Sequence, residues 1–248
     1  MTVREEELDA LRDERARATV ERCWRESRFY RDRLEAAGVE PGDVRGVADL
    51  ERIPILLGKD DERELQERSR VELGHPFGEH LSVPLEHVVA VASTSGTTGA
   101  PTFYAFTAED VATTDELWAR AFAFAGVRPG DTVLHGFGLS MFLAGVPVVR
   151  ALERMGARPV PVGAEAGSER LLRVAELVRP RVLACTPSYA TYLAEQAPKL
   201  LGRSAAELGI EIVCCAGEPG AGIPHVREAI ATEFGARVYD MLGGAHGV

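Results

Sequence analysis

Arg181-Val182-Leu183-Ala184-Cys185 is a short, apolar, strand-like run, and what surrounds it decides the fold. Similar runs at residues 132–135, 158–162, 211–215 and 237–240 alternate with helical stretches at residues 142–155, 168–178, 189–197 and 224–234. This is β-α-β repetition. Within the helical stretches Phe142, Val146 and Val149, and again Val226, Ile230 and Phe234, recur three or four residues apart, so each helix lays one apolar face on a sheet. Short strands joined through helices pair in parallel, and the expected fold is α/β: a doubly wound, mostly parallel sheet with flanking helices.

Toward the N-terminus the pattern changes. Thr107-Ala108-Glu109-Asp110 is a capping-box-like start for a helix reaching about residue 125, and strand-like pieces lie at residues 88–92 and 103–106. Residues 5–37 are highly charged but carry Leu8, Leu11, Val20, Trp24 and Leu34, which predicts one or two surface helices ending at Gly38. Glu40-Pro41-Gly42-Asp43 reads as a turn, and Lys59-Asp60-Asp61-Glu62 as the start of a solvated helix. The expected organisation is a helical prelude over residues 1–80 and an α/β nucleotide-binding core over residues 81–248.

Ligands of such sheets collect at the carboxyl ends of the strands. Four loops there are glycine-rich: the run from Thr94, His135-Gly136-Phe137-Gly138, Ala216-Gly217-Glu218-Pro219-Gly220, and Leu242-Gly243-Gly244-Ala245-His246-Gly247. Any one of them is explained as a tight turn; four on one sheet edge point to a binding site. The first, Ser93-Thr94-Ser95-Gly96-Thr97-Thr98-Gly99-Ala100-Pro101-Thr102, suits a phosphate. Its glycines let backbone N–H groups turn inward, and the hydroxyls of Thr94, Ser95, Thr97 and Thr98 add donors without charge. It lacks the lysine and spacing of a Walker A loop, so a P-loop NTPase is excluded. The same composition would also describe a flexible linker, but strand-like segments on both sides and Pro101 argue for a loop held in place.

The 248 residues, 46% hydrophobic, are enough for a sizeable core. With 28 Lys plus Arg against 38 Asp plus Glu, the formal net charge of -10 disfavours a general nucleic-acid binder. No stretch approaches the roughly 20 apolar residues of a membrane span, and the acidic N-terminus has no apolar leader core, so a cytoplasmic protein is expected. Cys23, Cys185, Cys214 and Cys215 have neither the number nor the spacing of a disulfide framework or a zinc site.

Taken in order, these motifs resemble the N-terminal portion of the phenylacetate-CoA ligase family of adenylate-forming, AMP-binding enzymes. Thr94 to Thr102 is similar to the family's phosphate loop, Thr186-Pro187-Ser188-Tyr189 to its Thr-Pro-Ser-Tyr segment, and Ala216-Gly217-Glu218-Pro219 to its adenine loop. Tyr239-Asp240 is similar to its Tyr-Asp signature, and Phe29-Tyr30-Arg31, Gly38-Val39 and residues 49–54 to its opening segment. The resemblance implies part of the large N-terminal domain of such enzymes, and ATP-dependent activation of a carboxylic acid, aryl or related, to an acyl adenylate, then transfer to CoA. It implies nucleotide contacts from Thr94, Ser95, Gly96, Thr97, Thr98 and Gly99, from Ala216, Gly217, Glu218 and Pro219, and from Tyr239, Asp240, Met241 and Gly243. Substrate contacts would come from His135, Gly136, Phe137, Gly138 and Leu139. Its implied small molecules are ATP, Mg2+, the acid, and CoA or a carrier protein as acceptor.

Three departures matter. Ala100 stands where relatives commonly have lysine; the signature Tyr-Gly-x-Ser/Thr-Glu, whose glutamate helps hold magnesium, reads Leu242-Gly243-Gly244-Ala245-His246; and the chain stops at Val248. Imidazole is a poor magnesium ligand, so no metal residue is assigned. The family's catalytic lysine lies beyond this chain, so no catalytic residue is assigned either. The expected partner is a homodimer copy or a complementing C-terminal polypeptide. The competing expectation is a non-catalytic nucleotide-, acyl- or partner-binding subunit related to such ligases.

Overall fold

The computed structural model describes residues 4–94 and 101–243. The chain divides into two compact units, Met1–Val89 with Gly96–Ala105, and Ala90–Ser95 with Phe106–Val248.

The first unit is helical: α1 (Glu5–Glu26), α2 (Arg28–Ala36) and α3 (Lys59–Glu72). Ser27 makes the corner between the first two. Its N–H donates to Cys23 O at the end of α1, and its hydroxyl accepts the Tyr30 N–H at the start of α2. Val20, Leu34, Val39 and Val44 form a small core with Trp24, Ile53 and Leu56 packed against it. Gln66 of α3 donates its amide to Pro101 O at 3.0 Å and accepts the Phe103 N–H at 2.8 Å, so it grips the chain immediately after the hydroxyl-rich loop. The Tyr104 hydroxyl donates to the buried Glu62; burial, and then that carboxylate's charge, push Tyr104 up to about 12. Strands β1 (Val88–Ser93) and β2 (Phe103–Thr107) form a two-stranded sheet.

The second unit holds a five-stranded sheet of order β4-β3-β5-β6-β7: β3 (Thr132–His135), β4 (Arg158–Pro161), β5 (Val182–Cys185), β6 (Ile212–Cys215) and β7 (Arg237–Asp240). All pairings are parallel, in registers such as Leu134 with Leu183, Leu183 with Val213 and Val213 with Val238. Its helices are α4 (Ala108–Phe124), α5 (Val146–Arg154), α6 (Ser168–Val178), α7 (Pro187–Leu201) and α8 (Pro224–Phe234).

The sheet is apolar on both faces, which explains why its central strands read as continuous hydrophobic runs. Leu134, Leu183, Cys185, Val213 and Cys215 face a core shared with Leu171 and Leu172 of α6, Ala190 and Leu193 of α7, and Ile230 and Phe234 of α8. Val133, Val182, Ala184, Ile212 and Cys214 point the other way, toward Trp118 and Phe122 of α4 and Val148, Ala151 and Leu152 of α5. The doubly wound α/β architecture is therefore present, with helices on both faces.

Two helices depart from the sequence pattern. The stretch expected to be helical from residue 142 begins only at Val146, and its buried face is Val148, Ala151 and Leu152, with Val146 exposed. Gly145 donates to Phe142 O to close a turn, Ala144 O is taken by the His135 ring, and Pro147 suits only a helix's first turn. Conversely, α7 runs further than expected, from the Thr186 N-cap to Gly202 in the left-handed C-cap, with Pro198 inside it.

At one edge, Arg158 of β4 donates its N–H inward to Asp131 O, so the alternate residues Pro159 and Pro161 direct their nitrogens outward. Between β3 and β5 the chain leaves in opposite directions: β3 connects to β4 through α5 on one face, β5 to β6 through α7 on the other. Such a switch point opens a crevice at the strands' carboxyl ends.

Candidate functional site

The register aligns the starts of the site loops. His135 stands beside Ala184, Cys185 beside Cys215, and Cys215 beside Asp240, so the loops after β3, β5, β6 and β7 leave one sheet edge together.

After β3, Gly136 donates its N–H to Ala184 O at 2.7 Å. A Cβ there would lie 3.0 Å from Leu171 Cδ1 and 3.3 Å from Cys185 Cβ, so the loop approaches the sheet closely and a larger residue would need these side chains to give. Gly136, Phe137 and Gly138 line a cleft of about 470 Å3 at the switch point, facing Thr186, Ser188 and Tyr189 at the start of α7. Tyr189 stacks on Tyr192, 6.5 Å between centroids, and both rings line the cleft. The Tyr189 hydroxyl is buried with no hydrogen-bond partner, and burial pushes its pKa up, as do the nearby Cys185, Tyr192 and Glu165. This is a mostly apolar slot with aromatic walls, a form suited to a small organic molecule.

His135 is not on that slot. Its side chain is fully buried, with Nε2 bonded to Ala144 O at 2.9 Å, Nδ1 unpartnered, and the ring edge-on to Phe137. Burial pushes its pKa below the ordinary histidine value, against the opposing effect of the Ala144 bond. Leu139 also faces elsewhere: it lines a separate cavity of about 490 Å3 with Val91, Phe106, Met141, Phe142 and Arg150. Arg150 is held at that cavity by Asp115, whose two carboxylate oxygens accept from its guanidinium at 3.1 to 3.2 Å.

The Ala216 to Gly220 loop is built against the start of α7. Gly217 sits at φ +90°, where only glycine is comfortable, and Gly220 is so close to Pro187 that a Cβ would lie 2.6 Å from the proline Cβ. Glu218 accepts the Ser188 N–H at 2.8 Å, placing its carboxylate at the N-terminus of α7, where the helix dipole favours it. Thr186 completes the turn by accepting the Tyr189 N–H. Arg227 of α8 holds the far end through Ala221 O. The loop is thereby tied to the same cleft wall as Ser188 and Tyr189.

Tyr239, Asp240 and Met241 lie apart from that cleft. They line a smaller cavity of about 200 Å3 with Trp118, Phe124 and Leu242, and Met241 donates its N–H to Cys215 O. Gly243 and Leu242 are exposed. Thr94 follows directly on β1, where Ser93 donates its N–H to Met141 O at 2.7 Å. Ser95, Gly96, Thr97, Thr98, Gly99, Ala100 and His246 lie outside the described residues. Among the described residues no three His, Cys, Asp or Glu side chains converge as a metal site would require. No described helix is long and apolar enough to cross a membrane.

Comparison with known proteins assigns this architecture. The chain is 38% identical over 242 residues to the phenylacetate-coenzyme A ligase of Thermus thermophilus, a match covering 98% of the chain and 51% of that protein. The chain is similar to the N-terminal half of phenylacetate-CoA ligases. The Escherichia coli phenylacetate-coenzyme A ligase is 29% identical over 96% of the chain and 51% of its own length. The crystal structure of 2-hydroxyisobutyryl-CoA ligase in complex with 2-HIB-AMP and CoA superposes with a TM-score of 0.90 at 32% identity, covering 98% of this chain and 50% of that one. The chain thus spans about half the length of the curated relatives it matches. No protein-family model matches it.

One residue at the cleft carries no sequence motif: Glu165 accepts the Leu139 N–H across 26 residues of sequence, and nothing in local composition announces such a bond.

Proposed function

We propose that this chain supplies the acid-binding and phosphate-binding part of an acid-thiol ligase. In the reaction a carboxylate attacks the α-phosphorus of ATP, giving an acyl adenylate and pyrophosphate, and the thiol of CoA or of a carrier protein then takes the acyl group and releases AMP. The observation that carries this reading is the aromatic-walled cleft at the β3/β5 switch point, in a chain 38% identical to a phenylacetate-CoA ligase. Gly136, Phe137 and Gly138 would bound the acid, with His135 supporting the loop from beneath and Leu139 turning away. Thr94, Ser95, Gly96, Thr97, Thr98 and Gly99 would take the phosphates. Ala216, Gly217, Glu218 and Pro219 would line the adenine, and Tyr239, Asp240, Met241 and Gly243 would flank the base and α-phosphate. Such a site works by positioning and by charge stabilisation. We further propose a cytoplasmic location, a prelude over residues 1–80, a core over residues 81–248, and full activity with a second polypeptide or a second copy.

The test is pyrophosphate release from ATP and magnesium with a panel including phenylacetate and 2-hydroxyisobutyrate. It is run with and without a polypeptide matching the remaining half of the relatives. Release that depends on the acid is expected; none in any combination would refute a ligase role. Ala100, standing where relatives commonly have lysine, and His246, standing where the signature has glutamate, favour a second reading, a non-catalytic binding subunit. Calorimetry separates the two, because ATP binding indifferent to magnesium and without turnover fits only the binding subunit.

A further inference from the structure

The loop that bounds the cleft is gripped from the side by a carboxylate outside every motif. Glu165, in the turn Ala164–Ala166 after β4, accepts the Leu139 N–H at 3.1 Å. The two segments are stitched at neighbouring positions as well, Gly163 N–H to His135 O at 3.0 Å and Ala164 N–H to Phe137 O at 3.2 Å. A Cβ on Gly138 would fall 2.8 Å from Glu165 Oε1, and one on Gly163 2.9 Å from Oε2, so two glycines leave the space that this carboxylate fills. Burial raises its pKa, but hydrogen bonds from its own N–H and those of Leu139 and Ser140 outweigh this and hold it below the ordinary glutamate value. The titratable groups facing it are His135 of β3 and Tyr189 of α7.

We infer that Glu165 is a positioning residue: its carboxylate sets the backbone of residues 136–140, and so the shape of the acid-binding cleft, without touching the acid. The consequence for the acid rests on the ligase reading; the hold on the loop does not. Because Glu165 is otherwise exposed, replacing it leaves the core intact. The bond is present while Glu165 is ionised and is lost as pH falls through its depressed value.

The experiment is amide NMR of the full chain as wild type, Glu165→Gln and Glu165→Ala, first as a pH titration and then with phenylacetate added. In the wild type the Leu139 and Ser140 amide resonances should move with a midpoint below the ordinary glutamate range, and both variants should lose that titration. Phenylacetate should shift the Gly136, Phe137 and Gly138 amides and bind about fivefold more weakly to Glu165→Ala, the size of one net hydrogen bond, with Glu165→Gln between. Amides that ignore the substitution overturn the hold on the loop, and equal affinity for all three proteins overturns the positioning role. Absence of phenylacetate binding in the wild type refutes the acid site instead, while the Leu139 titration still decides whether Glu165 holds the loop.

Discussion

Replacing Gly220 by alanine tests the closest approach in the site. Gly220 is buried against Pro187, the first residue of α7, and an added Cβ would lie 2.6 Å from the proline Cβ and 2.9 Å from its Cγ. Carbon atoms in ordinary contact stand about 3.5–4.0 Å apart, so something must move by about 1 Å. The ring cannot rotate away, because Pro187 is locked between the Thr186 cap and the buried face of α7. Gly220 has no left-handed φ, so the backbone itself accepts alanine and the cost is steric. Overpacking of this kind costs about 1–3 kcal/mol, and a rigid partner puts Gly220→Ala in the upper half. For a domain of this size that is a fall in Tm of roughly 4–12 °C. The assay is thermal unfolding followed by Trp118 fluorescence in a Trp24→Phe background, which reports the second unit alone. Adding Pro187→Ala should restore much of the loss, with a clear coupling in the double-mutant cycle. A transition unchanged by Gly220→Ala, or losses that simply add, would refute the packing of this loop on α7.

Asp115→Ala leaves Arg150 without its partner at the Leu139 cavity and should cost about 1–2 kcal/mol in urea unfolding, less than a fully buried pair because Arg150 is partly exposed; no change would mean that the pair contributes nothing. His135 should make stability fall as pH drops below about 6.5, since the unfolded chain takes up a proton that the buried ring resists, and His135→Gln should flatten that dependence of the urea midpoint. Burial pushes Cys214 and Cys215 up to about 12 and Cys185 well above its ordinary value, so a disulfide reagent should label at most Cys23 in the native protein and all four thiols in denaturant. Fast labelling of a second thiol would show the sheet opening.

The fold was largely legible because hydrophobic period and punctuation agree in most of the second unit. Strands β3 and β7 and helices α6 and α8 begin and end where the pattern put them. The pattern failed where an apolar run continued through a turn: Phe142 and Leu143 look helical, but Gly145 and Pro147 set the real start of α5. It failed in the other direction at α7, where Pro198 reads as a stop and is tolerated inside the helix. Three of the four glycine-rich loops, those after β3, β6 and β7, were also legible at the sheet edge, since topology alone delivers them there; the run from Thr94 instead follows β1 of the two-stranded sheet. Which side chain serves which cavity was not. His135 and Leu139 flank the glycines of one motif, yet strand alternation buries the first and a turn sends the second to another cavity. Glu218, too, looks like a free loop carboxylate until α7 brings the Ser188 N–H to it.

The two outer strands of the five-stranded sheet make it directional. With Pro159 and Pro161 turned outward, β4 offers carbonyls but no N–H along its free side, which disfavours strand addition there. Strand β7, Arg237 to Asp240, contains no proline and among the described strands pairs only with β6. Any extension of the sheet, from the same polypeptide or another, is therefore channelled to the β7 side. The two prolines act as an end stop that protects one flank from unwanted strand addition while the other stays competent to receive it.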